Sequence, residues 1–209
     1  MTDFSLIETL RWQPGDGFIR LRLHLARLSR SARRLGFPQP IEAAAKLEDA
    51  VAGCAGPLRI RLTFDAQGRI EVTRAAFVPL APETVWTVRL AETRLDSTDR
   101  LLRHKTTRRA VYEVARAEYA PDEADDVILL NERGEVCEGT ITSVFLDDGT
   151  GTLRTPPISC GLLAGVLRTE LICARKARVG RLTLADLDGG TLYIGNSLRG
   201  LIRANLVRS

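Results

Sequence analysis

The chain has 209 residues, of which 44% are hydrophobic and 27% are charged. This composition is typical of a globular protein with its own core, and it excludes a mainly disordered, collagen-like or coiled-coil protein. The net charge is +4, but the basic residues are interleaved with 26 acidic ones and lack aromatic stacking motifs, so we expect no nucleic-acid partner.

The first part of the chain predicts a small α+β domain over residues 1–92. A strand over 4–12 precedes a helix, because apolar residues recur three and four positions apart from Leu21 to Leu35. The other elements expected here are a helix over 41–52, a hairpin of two strands over 57–65 and 69–77, and a strand over 84–92.

Residues 93–103 are polar and charged, which indicates a connector between two domains. Residues 104–209 are expected to form a larger, β-rich domain. Its expected elements are a helix over 106–119, a strand over 126–130, two further strands around the turns at 131–134 and 147–149, a helix over 164–177, and a last buried strand over 191–196.

The four cysteines are far apart and form no CxxC pair, and the chain has only two histidines. These spacings favour neither a zinc site nor a disulfide framework, so we expect no metal and reduced cysteines. The N-terminus lacks a secretory signal and no apolar run is long enough for a membrane span. We therefore expect a cytoplasmic protein without membrane contact.

Lys105 is the first candidate for chemistry. Only three of the 30 basic residues are lysines, and this one lies at the predicted domain junction among arginines. Neighbouring positive charges favour the neutral amine that a Schiff-base lysine needs. The alternative is an ordinary surface lysine.

Glu138 is the second candidate, because it lies on a predicted strand among small and apolar residues. A carboxylate buried there would need a cationic partner. The alternative is an exposed strand residue.

Three further segments suit an anion. Gly161 and Gly165 flank a helix start with free backbone N–H groups, Asn196 and Ser197 follow a buried strand, and Arg27 lies one helical turn from His24. Each segment also has a plain structural interpretation, as a helix start, a turn and a packed helix face. Sequences typical of dinucleotide-binding, P-loop and hydrolase sites are absent.

Taken in this order, the segments resemble the class IV aminotransferases, the fold type IV enzymes that use pyridoxal 5'-phosphate (PLP). The likeness is strongest to the 4-amino-4-deoxychorismate lyases, in particular to lyase modules fused to aminodeoxychorismate synthases. The segments that carry the resemblance are ETLRW (8–12), HLARLSRSARRLGF (24–37), HKTTRRAVYE (104–113), NERGEVCEGTITSVF (131–145), TPPISCGLLAGVLR (155–168) and GNSLRG (195–200).

The resemblance implies a two-domain architecture like that of D-amino-acid aminotransferase, with the active site at the domain junction. It implies that Lys105 forms the Schiff base with PLP and acts as general acid and base, and that Glu138 pairs with the pyridine nitrogen. It assigns the cofactor phosphate to the Arg27 side chain, the backbone amides of Val166 and Leu167, and the Ser197 hydroxyl. The residues expected to bind substrate carboxylates are Arg11, Arg109 and Arg199.

The resemblance implies a lyase that releases p-aminobenzoate and pyruvate, a reaction of folate biosynthesis. Arg109, four residues after the lysine, is a lyase-like feature, whereas aminotransferases of the family carry Tyr near the position of Ala110. Ser143 departs from the family, which usually has Asn there. A branched-chain or D-amino-acid aminotransferase and a catalytically inactive relic remain as alternatives.

The resemblance also implies a homodimer and a small-molecule substrate, with an aminodeoxychorismate synthase as a possible partner.

Overall fold

A computed structural model describes residues 4–208, which divide into two compact units. The first unit comprises the chain up to Pro79 together with His104–Arg108, and the second comprises Leu80–Arg103 and the chain from Arg109 onward. The predicted boundaries, 1–92, 93–103 and 104–209, therefore differ from those of the structure.

The first unit is an antiparallel sheet with two helices. Its elements are β1 (Leu6–Gln13), β2 (Gly17–Phe18), α1 (Leu21–Leu35), α2 (Ala43–Val51), β3 (Leu58–Phe64) and β4 (Ile70–Ala76). The strand order is β2-β1-β3-β4. Helix α1 ends at Gly36, whose φ of 73° lies in the left-handed region that favours glycine. The predicted helices and hairpin of this unit are present, with ends that differ by one or two residues.

The core of the first unit lies between the sheet and the helices. Alternate residues of β1 and β3 point toward it, as the period of two predicts. Helix α1 contributes Leu28 and Ala32, which are 1% and 0% exposed. The other buried members of this apolar cluster are Leu6, Leu10, Phe37, Ala43, Leu47, Val51, Ile60, Leu62 and Phe64.

The second unit contains a mixed sheet of eight strands. Its strands are β5 (Val85–Leu95), β6 (Asp126–Asn131), β7 (Val136–Gly139), β8 (Ser143–Asp147), β9 (Leu153–Thr155), β10 (Ala177–Val179), β11 (Thr191–Asn196) and β12 (Gly200–Leu206). Its helices are α3 (Ala110–Ala117), α4 (Val166–Cys173) and α5 (Leu184–Asp188), with 3₁₀ turns at Arg100–Arg103 and Ile158–Cys160.

The strand order is β10-β9-β8-β11-β12-β5-β6-β7, and β7 also pairs with β8. Six strands, β8, β11, β12, β5, β6 and β7, thereby close into a ring. Strand β6 is buried along its whole length, which agrees with the continuous apolar run that predicts it. Strands β7, β8 and β11 belong to this ring, and candidate residues lie on these strands or directly after them. These candidate residues therefore belong to one unit.

Four expectations about elements are corrected by the structure. The helix expected over 164–177 covers Val166–Cys173, and Ala177 begins strand β10. Residues 93–95 continue strand β5, which pairs in parallel with β12 and β6, so this stretch is not a connector. The helix expected from residue 106 begins at Ala110, because residues 105–107 form backbone hydrogen bonds with Ser5 and Ile7 at the start of β1. The strand over 191–196 is not the last, since β12 follows it with Ile202 and Ala204 facing inward.

No helix within residues 4–208 combines the length and apolar character that crossing a membrane requires.

Candidate active site

The first unit holds Lys105 in an extended segment beside the start of β1. The Ile7 N–H donates to the Lys105 carbonyl oxygen at 2.8 Å, and the Thr107 N–H donates to the Ser5 carbonyl oxygen at 2.9 Å. The Ser5 N–H in turn donates to the Thr107 hydroxyl at 3.0 Å. These bonds fix the backbone on both sides of the lysine, whose side chain is half-buried.

A buried polar cluster lies between β1 and α1 in the same unit. Glu8, His24 and Arg27 are 2%, 1% and 6% exposed. Arg27 donates from Nε to Glu8 Oε1 at 2.9 Å and from Nη2 to Glu8 Oε2 at 2.6 Å. His24 Nδ1 lies 2.6 Å from Glu8 Oε2. The sequence explains the burial, because Glu8 alternates with Leu6 and Leu10 on the inner face of β1.

Burial and the interactions among these side chains shift the pKa values of Glu8 and His24. Burial alone would raise the pKa of Glu8, but the Arg27 charge and the hydrogen bonds from His24 and Arg27 lower this pKa to about 2. Burial lowers the pKa of His24, and the charges of Arg27 and Lys105 lower it further, which outweighs the opposite effect of Glu8. His24 is therefore neutral near pH 7, and Nδ1 carries the proton that it donates to the carboxylate.

The second unit buries Glu138 on β7, where it is 6% exposed. The Tyr112 hydroxyl of α3 donates to Glu138 Oε1 at 2.7 Å, and the Leu163 N–H donates to the same oxygen at 3.1 Å. Burial and the Glu138 charge raise the pKa of Tyr112 well above its usual value, so the phenol keeps its proton. The structure thus selects the buried interpretation of Glu138 over the exposed one.

The start of α4 has the features of an anion site. Its N-cap residue is Gly165, which has no side chain to cap the helix, and the first turn contains no acidic residue. The amides of Val166 and Leu167 lack acceptors within the helix because they belong to its first turn. A Cβ on Gly165 would lie 2.5 Å from the Ser143 hydroxyl, so β8 packs closely against this helix start.

Ser197 lies in the turn between β11 and β12 and is 7% exposed. Asn196 shapes this turn, since its Oδ1 accepts from the N–H groups of Leu198 and Arg199 at 3.1 and 3.0 Å. Helix α4 packs against β11 through Leu167, whose Cδ2 would be 2.9 Å from a Cβ on Gly195. The structure therefore brings the predicted phosphate residues of the second unit onto adjoining elements.

The three predicted substrate arginines are half-buried and lie over aromatic rings. The Arg11 guanidinium is 5.0 Å from the ring centre of Phe77 in the first unit. In the second unit, the Arg109 guanidinium is 4.9 Å from the ring centre of Tyr112, and it donates to the Thr140 carbonyl oxygen at 2.6 Å. The Arg199 guanidinium is 5.7 Å from Trp86. Arg109 thus contacts Tyr112, a direct neighbour of Glu138.

A further buried arginine, Arg168 on α4, is 4% exposed and donates to the Pro156 carbonyl oxygen at 2.7 Å. Burial lowers its pKa, although the Glu138 charge opposes this change. Because a guanidinium stays protonated in proteins, Arg168 adds positive charge to the first turn of this helix.

Sequence reasoning missed Glu8 and Tyr112. The signal for Glu8 was present, since a charged residue on the inner face of an amphipathic strand needs a buried partner. The signal for Tyr112 was weaker, because a tyrosine on a helix face also fits ordinary packing. The sequence favours a packing role for His24 on its helix face, and the residue is buried as expected but also bonds to Glu8.

Residues 4–208 contain no group of three or more His, Cys, Asp or Glu side chains that could hold a metal ion. The Glu138 carboxylate is an acceptor that suits an N–H group of an organic ligand, and the N–H groups at the start of α4 suit an anionic group of the same kind of ligand.

The family model of class IV aminotransferases matches residues 5–207. The chain belongs to this family. The family enzymes use PLP, which confirms the predicted resemblance and cofactor. Curated relatives of this chain include a candidate aminodeoxychorismate lyase of Schizosaccharomyces pombe, 32% identical over 180 residues, which are 82% of this chain and 74% of the relative.

Solved structures agree with the fold. A crystal structure of a candidate amino-acid aminotransferase from Mesorhizobium loti is 52% identical, with a TM-score of 0.95 over 98% of this chain and 100% of the other. A crystal structure of a candidate 4-amino-4-deoxychorismate lyase is 29% identical, with a TM-score of 0.82 over 96% of this chain and 84% of the other. These similarities confirm the fold type IV architecture, whereas the assigned roles of individual site residues stay predictions.

Proposed function

We propose that this member of the class IV aminotransferase family is a PLP-dependent 4-amino-4-deoxychorismate lyase that releases p-aminobenzoate and pyruvate. The observation that carries the proposal is the 32% identity to the Schizosaccharomyces pombe relative over most of both chains. Arg109 supports it, because a half-buried guanidinium beside the Tyr112–Glu138 pair suits a substrate with two carboxylates. The activity would belong to folate synthesis.

The residues present fit the cofactor. Glu138 is a buried carboxylate whose Oε1 accepts two hydrogen bonds. Its negative charge suits a protonated pyridine nitrogen, because a buried carboxylate needs a cationic partner. The uncapped start of α4 provides the N–H groups of Val166 and Leu167 for a phosphate, and Ser197 adds a hydroxyl. Arg27 would supply a charge-assisted hydrogen bond to the same phosphate.

Bound PLP supplies a ring that takes up electron density from the carbon that bears the substrate amine. Lys105 would hold the cofactor through Nζ and, once released, remove the proton from that carbon. Glu138 would keep the proton on the pyridine nitrogen. Arg11, Arg109 and Arg199 would orient the substrate carboxylates.

The reaction balances without a co-reactant. One C–H bond breaks at the amine-bearing carbon, and the C–O bond to the enolpyruvyl group breaks with its electron pair on oxygen. The released enolate takes up a proton at its methylene carbon and becomes pyruvate, which balances the proton lost from the amine-bearing carbon. The six-membered ring becomes aromatic, which drives the reaction.

An amino-acid aminotransferase is the second candidate. The observation that favours it is the 52% identity to the Mesorhizobium loti protein along the full length of that chain. Ala110 argues against it, since the resemblance implies a tyrosine near this position in aminotransferases. The two candidates share the cofactor and the lysine and differ in the fate of the substrate.

The test is to add 4-amino-4-deoxychorismate to the PLP-loaded protein and to follow p-aminobenzoate by fluorescence. We expect product from the wild type and from Lys46→Ala, an exposed lysine, and none from Lys105→Ala. No product, together with conversion of the cofactor to its amine form by an amino acid, would support the aminotransferase instead. No product and no bound PLP would contradict both candidates.

A further inference from the structure

The guanidinium of Arg27 is clamped by the carboxylate of Glu8. The Nε and Nη2 groups each donate to a different oxygen of this carboxylate, at 2.9 and 2.6 Å, and both side chains are almost completely buried. We propose that Glu8 is the positioning residue that fixes Arg27 for the cofactor phosphate, an inference that rests on the proposed function.

The two-point contact has a geometric consequence. A guanidinium is planar and has five N–H donors arranged in a fixed fork. Glu8 binds the edge formed by Nε and Nη2, so the edge formed by Nη1 and the second Nη2 hydrogen points away from Glu8. This second edge can bind a phosphate with two hydrogen bonds.

The contact with Glu8 also reduces the side-chain entropy that Arg27 loses when a phosphate binds. A free arginine side chain samples many rotamers, and a phosphate that binds it must offset the loss of this freedom. Glu8 orders the side chain before the cofactor arrives, since the strand between Leu6 and Leu10 sets the position of its carboxylate. Arg27 is thus preorganised.

His24 completes the arrangement from the same helix as Arg27. Its Nδ1–H donates to Glu8 Oε2 at 2.6 Å, so this oxygen accepts from both side chains. Because His24 is neutral, the charges of Glu8 and Arg27 balance each other inside the unit. The cluster therefore tolerates burial while one edge of Arg27 faces away from the carboxylate.

The experiment compares PLP with pyridoxal, which lacks the phosphate. Each ligand is titrated into the apoprotein, and the ratio of the two dissociation constants measures the contribution of the phosphate. We expect Glu8→Gln to weaken PLP binding about 10–100-fold, as for the loss of a charge-assisted hydrogen bond, and to leave pyridoxal binding unchanged. A merely structural role would weaken both ligands equally.

Three variants make the test specific. In the background of Arg27→Ala, Glu8→Gln should cause no further change in the ratio, because Glu8 acts through Arg27. Glu8→Asp keeps the charge and should recover part of the PLP affinity. This variant keeps the test valid if the Glu8→Gln protein fails to fold. Glu48→Gln, an exposed glutamate of α2, is the matched control and should bind both ligands like the wild type.

An unchanged ratio in Glu8→Gln, or a further loss in the Arg27→Ala background, would overturn the inference while leaving the proposed function intact. A wild type that binds PLP and pyridoxal equally well would also overturn it, since no phosphate site would exist. A wild type that binds neither would contradict the proposed function and the inference together.

Discussion

The Tyr112 hydroxyl donates to Glu138 Oε1 at 2.7 Å, and this contact joins helix α3 to strand β7. The Leu163 N–H reaches the same oxygen at 3.1 Å. Two donors from different elements therefore hold one oxygen of a buried carboxylate and define its orientation. A buried carboxylate is costly to leave without donors, so the tyrosine contributes to the stability of the fold.

Replacement of Tyr112 by Phe should destabilise the protein. The change removes a hydrogen bond to a charged buried group, so we expect the free energy of unfolding to fall by about 1.5–3 kcal/mol in urea titrations. Tyr119→Phe is the matched control, because its hydroxyl donates to the neutral Leu90 carbonyl oxygen at 2.8 Å, and it should lose only about 1 kcal/mol. Equal losses in the two variants would contradict a charged acceptor at Glu138.

The stability of the protein should depend on Glu8 in acid. Its pKa in the folded protein is about 2, below the ordinary value of 4.5, so the ionised side chain stabilises the fold above pH 4.5 and loses this effect as the pH falls toward 2. Between pH 5 and pH 3, the wild type should lose about 2 kcal/mol more unfolding free energy than Glu8→Gln. Glu48→Gln should behave like the wild type. Identical losses in wild type and Glu8→Gln would show that Glu8 is not held as an ion.

Gly195 should tolerate no side chain. A Cβ there would overlap the Gly200 carbonyl oxygen and lie 2.9 Å from Leu167 Cδ2. We expect Gly195→Ala to lower the free energy of unfolding by about 3 kcal/mol, because neither the Gly200 backbone nor the Leu167 side chain can move away easily. It should also weaken PLP binding by moving the Ser197 turn.

The control for this variant is Gly189→Ala. Its φ is −90°, and its nearest neighbour would be the Asp186 carbonyl oxygen at 3.5 Å, an ordinary contact. We expect a change within about 0.5 kcal/mol. A Gly195→Ala protein as stable as this control would show that β11 and β12 can separate without loss.

Local patterns predicted most helices and strands, because each element has its own period. The helix over Leu21–Leu35 and the hairpin of β3 and β4 follow from spacing alone. Pairing between distant strands did not follow, since β5 is the parallel partner of both β12 and β6. This pairing assigns β5 to the second unit, and no local pattern encodes it.

In the candidate site, too, the sequence predicts individual residues but not the contacts between distant ones. Lys105, Arg27 and Glu138 could be proposed from motifs, whereas their partners could not, because a hydrogen bond between Glu8 and Arg27 depends on how β1 meets α1. The inner-face position of Glu8 was the available signal. Tyr112 is separated from Glu138 by 26 residues, and only the folded unit brings them together.

The most direct measurement reduces the PLP-loaded protein with borohydride and locates the modified lysine by peptide mass spectrometry. Borohydride fixes PLP to the amine with which it has condensed, and the chain offers three lysines. We predict a pyridoxyl group on Lys105 and none on the exposed Lys46 and Lys176. Modification of Lys46 or Lys176 instead, or of no lysine, would contradict the account.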